Sequence, residues 1–235
     1  MIINVHAGHN PDGMVACGAI GLIKESTEAR AVKDKLISSL RACGNTVYDC
    51  TCDDGTSKND VLKKIVAKCN SHAADLDLSI HFNSGVDDED GNGCSTGTEV
   101  LVYSKSGVIA EYAKSVCDRI AALGFKNRGV KVRTDLYVLN STKAPAMLVE
   151  CCFVDDKDDV KLYSADKMAM AIAEGLGFKE ACEVVEKSKI IINGQEKEVE
   201  RILNNGTNFI KIRDVAELLG YDVSSKGSIP VLTKK

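Results

Sequence analysis

Regular alternation of short apolar runs with helix-period stripes, sustained over the first ~178 residues, constrains this chain most. Ile2–Val5 is a β-branched run. Val32, Leu36, Leu40 and Cys43 recur at helical spacing, and Gly44 ends that pattern. Thr46–Cys50 reads as a strand. Ser57, with Asp60 three residues on, looks like a capping box. Behind it Val61, Leu62, Ile65, Val66 and Cys69 form one apolar stripe, and Leu76–Phe82 is the next strand. A polar Gly- and Asp-rich loop spans 87–97. Thr98–Tyr103 reads as a strand, and Ser106 opens a helix carrying Ile109, Tyr112, Ala113, Val116 and Ile120. Leu136–Leu139 and Met147–Cys151 read as strands, and Met168, Ala171, Ile172 and Leu176 as a closing helix. This pattern predicts an α/β fold: a central mixed, mainly parallel sheet with helices on both faces.

Beyond residue 178 the pattern changes. Residues 179–188 read as a helical linker, and 189–235 as a small C-terminal α+β module. That module has strand-like runs at KIIIN, Phe209–Ile212 and Ile229–Leu232, turns at Asn193–Gly194 and Asn204–Asn205–Gly206, and a short helix over Asp214–Leu219. It is near the lower limit for independent stability, so it is expected to dimerise or to pack on the larger domain.

The net charge of −4 disfavours nucleic acid as a partner. No apolar stretch approaches the ~20 residues that span a bilayer, so membrane insertion is not expected. MIINVHAGHN lacks a basic n-region and a long apolar h-region, and reads as a first strand, not a secretory signal. The ten cysteines include no C-x-x-C pair, which disfavours a structural zinc ribbon. Without a signal peptide they are expected to be reduced, and mostly to act as small buried hydrophobes.

Four residues carry the chemistry: His9 in VHAGHN, Glu25 in LIKES, His81 in LSIHFN and Glu150 in MLVECCF. Two neutral imidazoles and one carboxylate can hold Zn²⁺ and leave a fourth position for water. A second carboxylate nearby can take that water's proton. On the predicted fold His9 lies just past the first strand, His81 and Glu150 lie at the ends of theirs, and Glu25 immediately precedes a helix. Open α/β sheets build sites beyond the carboxyl ends of their strands. Each residue also has a plainer reading. His9 reads equally as a solvated loop side chain, His81 as a satisfied core histidine, and Glu25 as an acid suited to a helix N-terminus. A carboxylate in Glu150's apolar run is costly unless paired or bound, and a salt bridge would serve. Asn83 is a candidate for orienting a substrate amide, or simply begins a turn. His6 is a candidate partner of a ligand or an alternative ligand, and His72 is expected to be exposed. The acidic run Asp155, Asp156, Asp158 and Asp159 reads as a solvated loop, since the D-x-D-x-D-G calcium pattern is absent.

AGH at 7–9, GLIKE at 21–25, SIHFN at 79–83 and LVECCF at 148–153 together resemble the zinc-dependent N-acetylmuramoyl-L-alanine amidases of the amidase-3 family, found in phage endolysins and bacterial autolysins. The resemblance covers residues 1 to about 178. It implies zinc on His9, Glu25 and His81, and Glu150 as the catalytic carboxylate. It implies cleavage of the amide between the lactyl group of N-acetylmuramic acid and L-alanine of the stem peptide. Two positions depart from the family's usual pattern: His6 stands where an acidic residue is usual, and Asn10 where glycine follows the first histidine. The tail, through INGQ at 192–195 and GTNFIKIRDVAELLGYDV at 206–223, is similar to stalk modules related to the N-terminal domain of copper amine oxidases, and suggests wall binding without copper.

The resulting expectation is a peptidoglycan hydrolase with zinc as cofactor and the cell-wall glycopeptide as partner. It would be made in the cytoplasm and would reach the wall after holin-mediated release, with a host autolysin as the alternative origin. A zinc peptidase or deacetylase on another amide, and a catalytically inert wall-binding protein, are the rival readings.

Overall fold

In a computed structural model, residues 1–178, 185–204, 207–226 and 229–235 are described. The chain divides into two compact units, Met1–Glu180 and Ala181–Lys235. The first contains β1 (Ile2–Ala7), α1 (Glu25–Ala42), β2 (Thr46–Asp49), α2 (Lys58–Asn70), β3 (Leu76–Asn83), β4 (Thr98–Val102), α3 (Val108–Ala121), β5 (Asn127–Val132), α4 (Tyr137–Ser141), β6 (Ala146–Phe153), α5 (Lys157–Leu162) and α6 (Ala165–Gly175). The second contains β7 (Val185–Ile192), β8 (Gln195–Asn204), β9 (Thr207–Ile210), α7 (Ile212–Leu218), β10 (Tyr221–Lys226) and β11 (Ile229–Lys234).

Six strands of the first unit form one sheet in the order β2-β1-β3-β6-β4-β5. Every neighbouring pair is parallel except β4 with β6. The expected mixed, mainly parallel sheet is therefore what forms. Period-2 alternation divides its side chains between two cores. Ile3, Val5, Leu78, Ile80, Val100, Met147 and Val149 pack with residues of α1, α3 and α6. Leu101 and Leu148 face the other way, onto Val61, Ile65, Val138 and Leu139 from α2 and α4. Glu150 and Glu99 lie two residues from Leu148 and Leu101, so alternation puts both on this second face. His81 is Glu150's register partner across the parallel β3–β6 pair and shares it.

The second unit has an antiparallel sheet in the order β7-β8-β9 and a β10–β11 hairpin, with α7 between them in sequence. This is the expected small α+β module. Residues 179–184 of the expected linker, and Asn205 and Gly206 of the second expected turn, lie outside the described residues. The linker's last residues, 185–188, are strand.

Several local expectations change. Residues 136–139 are not a strand; Leu136 starts the α4 turn, its carbonyl accepting from Leu139 and Asn140 N–H. Short apolar runs do not reveal their period. β5, built from Asn127-Arg-Gly-Val-Lys-Val, was hidden by its charges and its glycine. Glu25 is the first residue of α1, not the residue before it. His72 is half-buried and stacks on Tyr48 at 3.7 Å between ring centroids. Ser57 does cap α2, accepting from Asp60 N, while the Asp60 carboxylate reaches back to Thr56 N. Six of the nine described cysteines are buried.

The acidic run is the largest correction. Asp155, Asp156 and Asp159 are buried, because their carboxylates accept backbone N–H groups that the 84–97 loop cannot satisfy internally. Asp155 accepts from Gly85, Val86 and Asp87, and Asp156 from Thr96 and from Asp158 and Asp159 at the start of α5. Asp159 takes Gly97 N–H at 2.9 Å and Phe153 N–H at 2.9 Å. Asp159→Ala would strand both donors in the interior, and is expected to cost roughly 2–6 kcal/mol of unfolding free energy at ~1–3 kcal/mol per orphaned group. Chemical denaturation measures this; a wild-type midpoint in the variant would contradict the assignment.

Candidate metal centre

β1, β3 and β6 are adjacent and parallel, so their carboxyl ends open on one edge of the sheet. His9 lies two residues past β1, and its left-handed φ of 67° turns the imidazole across that edge. For a residue with a Cβ this conformation is uncommon and must be held by its surroundings. Arg30 donates to the His9 carbonyl at 3.0 Å. Asn10, fully buried, donates to the carbonyls of Val15 and Gly55 and accepts from Gly55 N–H. Asn10 thereby ties the β1 exit to two loops.

α1 delivers Glu25 from its first turn. Glu25 Oε2 accepts from Ala19 N–H at 2.8 Å, and Oε1 from Phe82 N–H at 3.2 Å. His81 Nδ1 lies 2.9 Å and His9 Nε2 3.2 Å from that same Oε1. Burial alone would raise the Glu25 pKa; hydrogen bonds and charge from His81 and His9 outweigh it and hold the carboxyl well below the usual range. His9, Glu25 and His81 each offer a ligand atom, all within 4.8 Å of one another. The sequence-predicted trio therefore converges as a group able to hold a metal ion. Asp88, Asp156 and Asp158 form a second such group, with no nitrogen donor.

Two glycines make room for the trio. A Cβ on Gly8 would lie 2.0 Å from His81 Cε1 and 2.2 Å from its Nε2. A Cβ on Gly18 would lie 2.6 Å from Glu25 Oε2 and 2.9 Å from His9 Cδ2. Backbone approaches the donors so closely that side chains at these positions are excluded.

Glu150 stands beside His81 in the β3–β6 register. Among the described residues its buried Oε2 has no hydrogen-bond partner, and no ion pair to this carboxylate is found to support the plain salt-bridge reading. Burial, then the charges of Glu25 and Glu99, push its pKa up to about 8, with Arg133 opposing. A buried oxygen left unpaired is costly unless function uses it.

His6 is buried beneath the centre and lies outside the trio. Its Nδ1 is 3.4 Å from Ser79 Oγ, and it lines a small cavity with His9 and His81. Burial, then the charge of His81, lowers its pKa from 6.5 to about 3. Between those values the unfolded chain binds a proton that the folded chain refuses. Folded stability therefore falls as pH drops through the window, by up to ~1.4 kcal/mol per pH unit. In His6→Gln the slope of unfolding free energy between pH 6 and 5 is expected to be shallower by up to that amount; parallel slopes for both proteins would show that the ring is not buried neutral.

Asn83 does not point free into the site: its Nδ2 donates to Glu99 Oε1 at 3.1 Å. Glu99, Arg128 and Arg133 escaped the sequence reading. Glu99 faces Glu150 across the antiparallel β4–β6 pair, a register that only the folded sheet reveals.

An open α/β sheet with two imidazoles and two carboxylates gathered at its carboxyl edge defines a candidate metal-dependent hydrolase. Residues 1–177 match the family described as N-acetylmuramoyl-L-alanine amidase, and the chain belongs to that family. It is 36% identical over 215 residues to an uncharacterized protein of Clostridium perfringens, a match covering 88% of this chain and 59% of that protein. It is 29% identical over 180 residues to the endolysin of Bacillus phage SPP1, covering 74% of this chain and 62% of that one. The catalytic domain of CD27L endolysin, targeting Clostridia difficile, superposes with a TM-score of 0.67 at 32% identity, covering 77% of this chain and 98% of that domain. The chain thus spans little more than half the length of its C. perfringens relatives, 59% and 51% for two of them. Among the described residues no helix is long and apolar enough to cross a membrane.

Proposed function

We propose that this chain is a zinc-dependent peptidoglycan amidase that hydrolyses the bond between N-acetylmuramic acid and L-alanine of the stem peptide. The observation that carries the reading is the unpartnered, buried Glu150 Oε2 beside three converging donors. Two ring nitrogens and one carboxylate oxygen suit zinc better than calcium or magnesium, which prefer oxygen alone. Bound by His9, Glu25 and His81, zinc would supply a Lewis acid and acidify a water at the open position. Glu150 takes the proton of the attacking water on Oε2, and later gives it to the departing alanine nitrogen. An amine leaves poorly, so the second transfer matters as much as the first. Glu25, held by Ala19 and Phe82 N–H, keeps the two imidazoles oriented.

The C-terminal unit is assigned to positioning the enzyme on the wall, as its resemblance to stalk modules suggests. Similarity to a phage endolysin supports a lysin released to the wall by a separate pore-former, and similarity to bacterial cell-wall amidases keeps an exported autolysin as the alternative.

Product analysis on purified peptidoglycan, with and without a chelator, tests the activity. New N-terminal alanine that a chelator abolishes is the expected result. Released acetate would make the enzyme a deacetylase, and a different new N-terminus a peptidase. Wall sedimentation without any product would leave an inert binding protein.

A further inference from the structure

On the face that carries the site, four groups follow one another across the sheet in strand order: the metal donor His81 on β3, Glu150 on β6, Glu99 on β4 and Arg128 on β5. Glu99 is nearly buried, with 12% of its side chain exposed, and both its oxygens are engaged. Oε1 accepts from Asn83 Nδ2 at 3.1 Å and Oε2 from Arg128 Nε at 2.9 Å. The Arg128 guanidinium carbon lies 5.0 Å from the centroid of the Phe153 ring. Its two terminal nitrogens have no hydrogen-bond partner among the described residues, and the side chain is one-third exposed. A guanidinium fixed at Nε by a carboxylate and on one face by a ring offers its remaining N–H fork in one orientation. Such a fork fits a planar carboxylate.

We infer that Arg128, positioned by Glu99, forms an anion subsite for a carboxylate on the peptide side of the scissile amide. The inference rests on the amidase reading above. With the substrate carbonyl turned toward the metal donors, the leaving nitrogen faces Glu150. The peptide beyond that nitrogen then runs over β4 and β5, and Arg128 meets the residue that follows alanine. Glu99 is a positioning residue: it acts through Arg128 and through Asn83, which it ties to the same platform.

The test uses the zinc-loaded full chain and two muramoyl peptides that differ only in a free carboxylate or its primary amide on the residue after alanine. Wild type is expected to prefer the carboxylate by about tenfold in kcat/KM, carried by KM, as suits one partly exposed charge-assisted fork. Calorimetry should show the same preference between the two alanine-first product peptides. Arg128→Gln should bring both preferences close to unity, and Arg128→Lys, which keeps the charge without the fork, should retain part of them. Glu99→Gln should weaken the preference through KM. Combined with Arg128→Gln, it should lower the preference no further than Arg128→Gln alone, because the two act as one unit. A wild type without preference, or a preference that survives in folded Arg128→Gln or undiminished in Glu99→Gln, overturns the subsite. Should Arg128→Gln fail to fold, an undiminished preference in Arg128→Lys overturns it equally. Failure of wild type to release N-terminal alanine from either peptide refutes the amidase reading itself, and the subsite with it.

Discussion

Glu150→Gln is expected to lower turnover by at least ~10²–10⁴-fold while bound metal stays at the wild-type level. The substitution keeps the volume and removes only the capacity to accept and return a proton. Glu150 is not among the three converging donors, so metal content should not follow activity. The same carboxyl is expected to set the acid side of the pH profile. Its usual value of 4.5 is raised to about 8 by burial and by Glu25 and Glu99. A bound cation acts in the opposite direction. The base must be ionised to work, so the rate should rise with pH, with a midpoint between those two values, and this limb should vanish in Glu150→Gln. Steady-state rates against pH, with metal analysis of the same samples, measure both effects. Near-normal turnover in the variant would remove Glu150 from the mechanism.

Gly8→Ala should abolish metal binding and activity together, although glycine to alanine is among the smallest changes available. The new Cβ would fall 2.0 Å from His81 Cε1, well inside van der Waals contact. The Gly8 backbone is tied to Ile80 O at 2.9 Å and β1 is paired along its length with β3, so the strand cannot retreat. His81 must therefore rotate away from Glu25 and His9. A ligand misplaced by ~1 Å already costs ~10²-fold in rate, and the displacement here is larger. The core beneath is unchanged, so the melting temperature of the metal-free protein should fall only slightly. Zinc titration and circular dichroism separate the two effects; wild-type zinc affinity in Gly8→Ala would show that His81 is not held against that backbone.

The first unit's core was legible because period-2 runs such as Ile3-Val5 and Leu78-Ile80 and period-3.6 stripes such as Val32-Leu36-Leu40 each have a single way of burying their apolar face. The four site residues stood out for a related reason: polar groups in apolar or glycine-flanked settings must be used or paired. What escaped depends on contacts between distant segments. Glu99 acquires meaning only through its antiparallel register with Glu150, which local pattern does not encode. The aspartates at 155–159 look like a solvated loop until the 84–97 loop brings its unpaired N–H groups to them. Residues 136–139 are apolar enough for either state, and packing against α2 decided for the helix.

His9, Glu25 and His81 are expected to hold one metal ion within reach of Glu150. Anomalous scattering at the zinc edge from crystals of zinc-loaded protein tests it most directly. One strong peak is expected at ~2.0–2.2 Å from a ring nitrogen of each histidine and an oxygen of Glu25, with Glu150 beside the fourth position and outside the ligand shell. No peak there, or a sole peak among Asp88, Asp156 and Asp158, would contradict it.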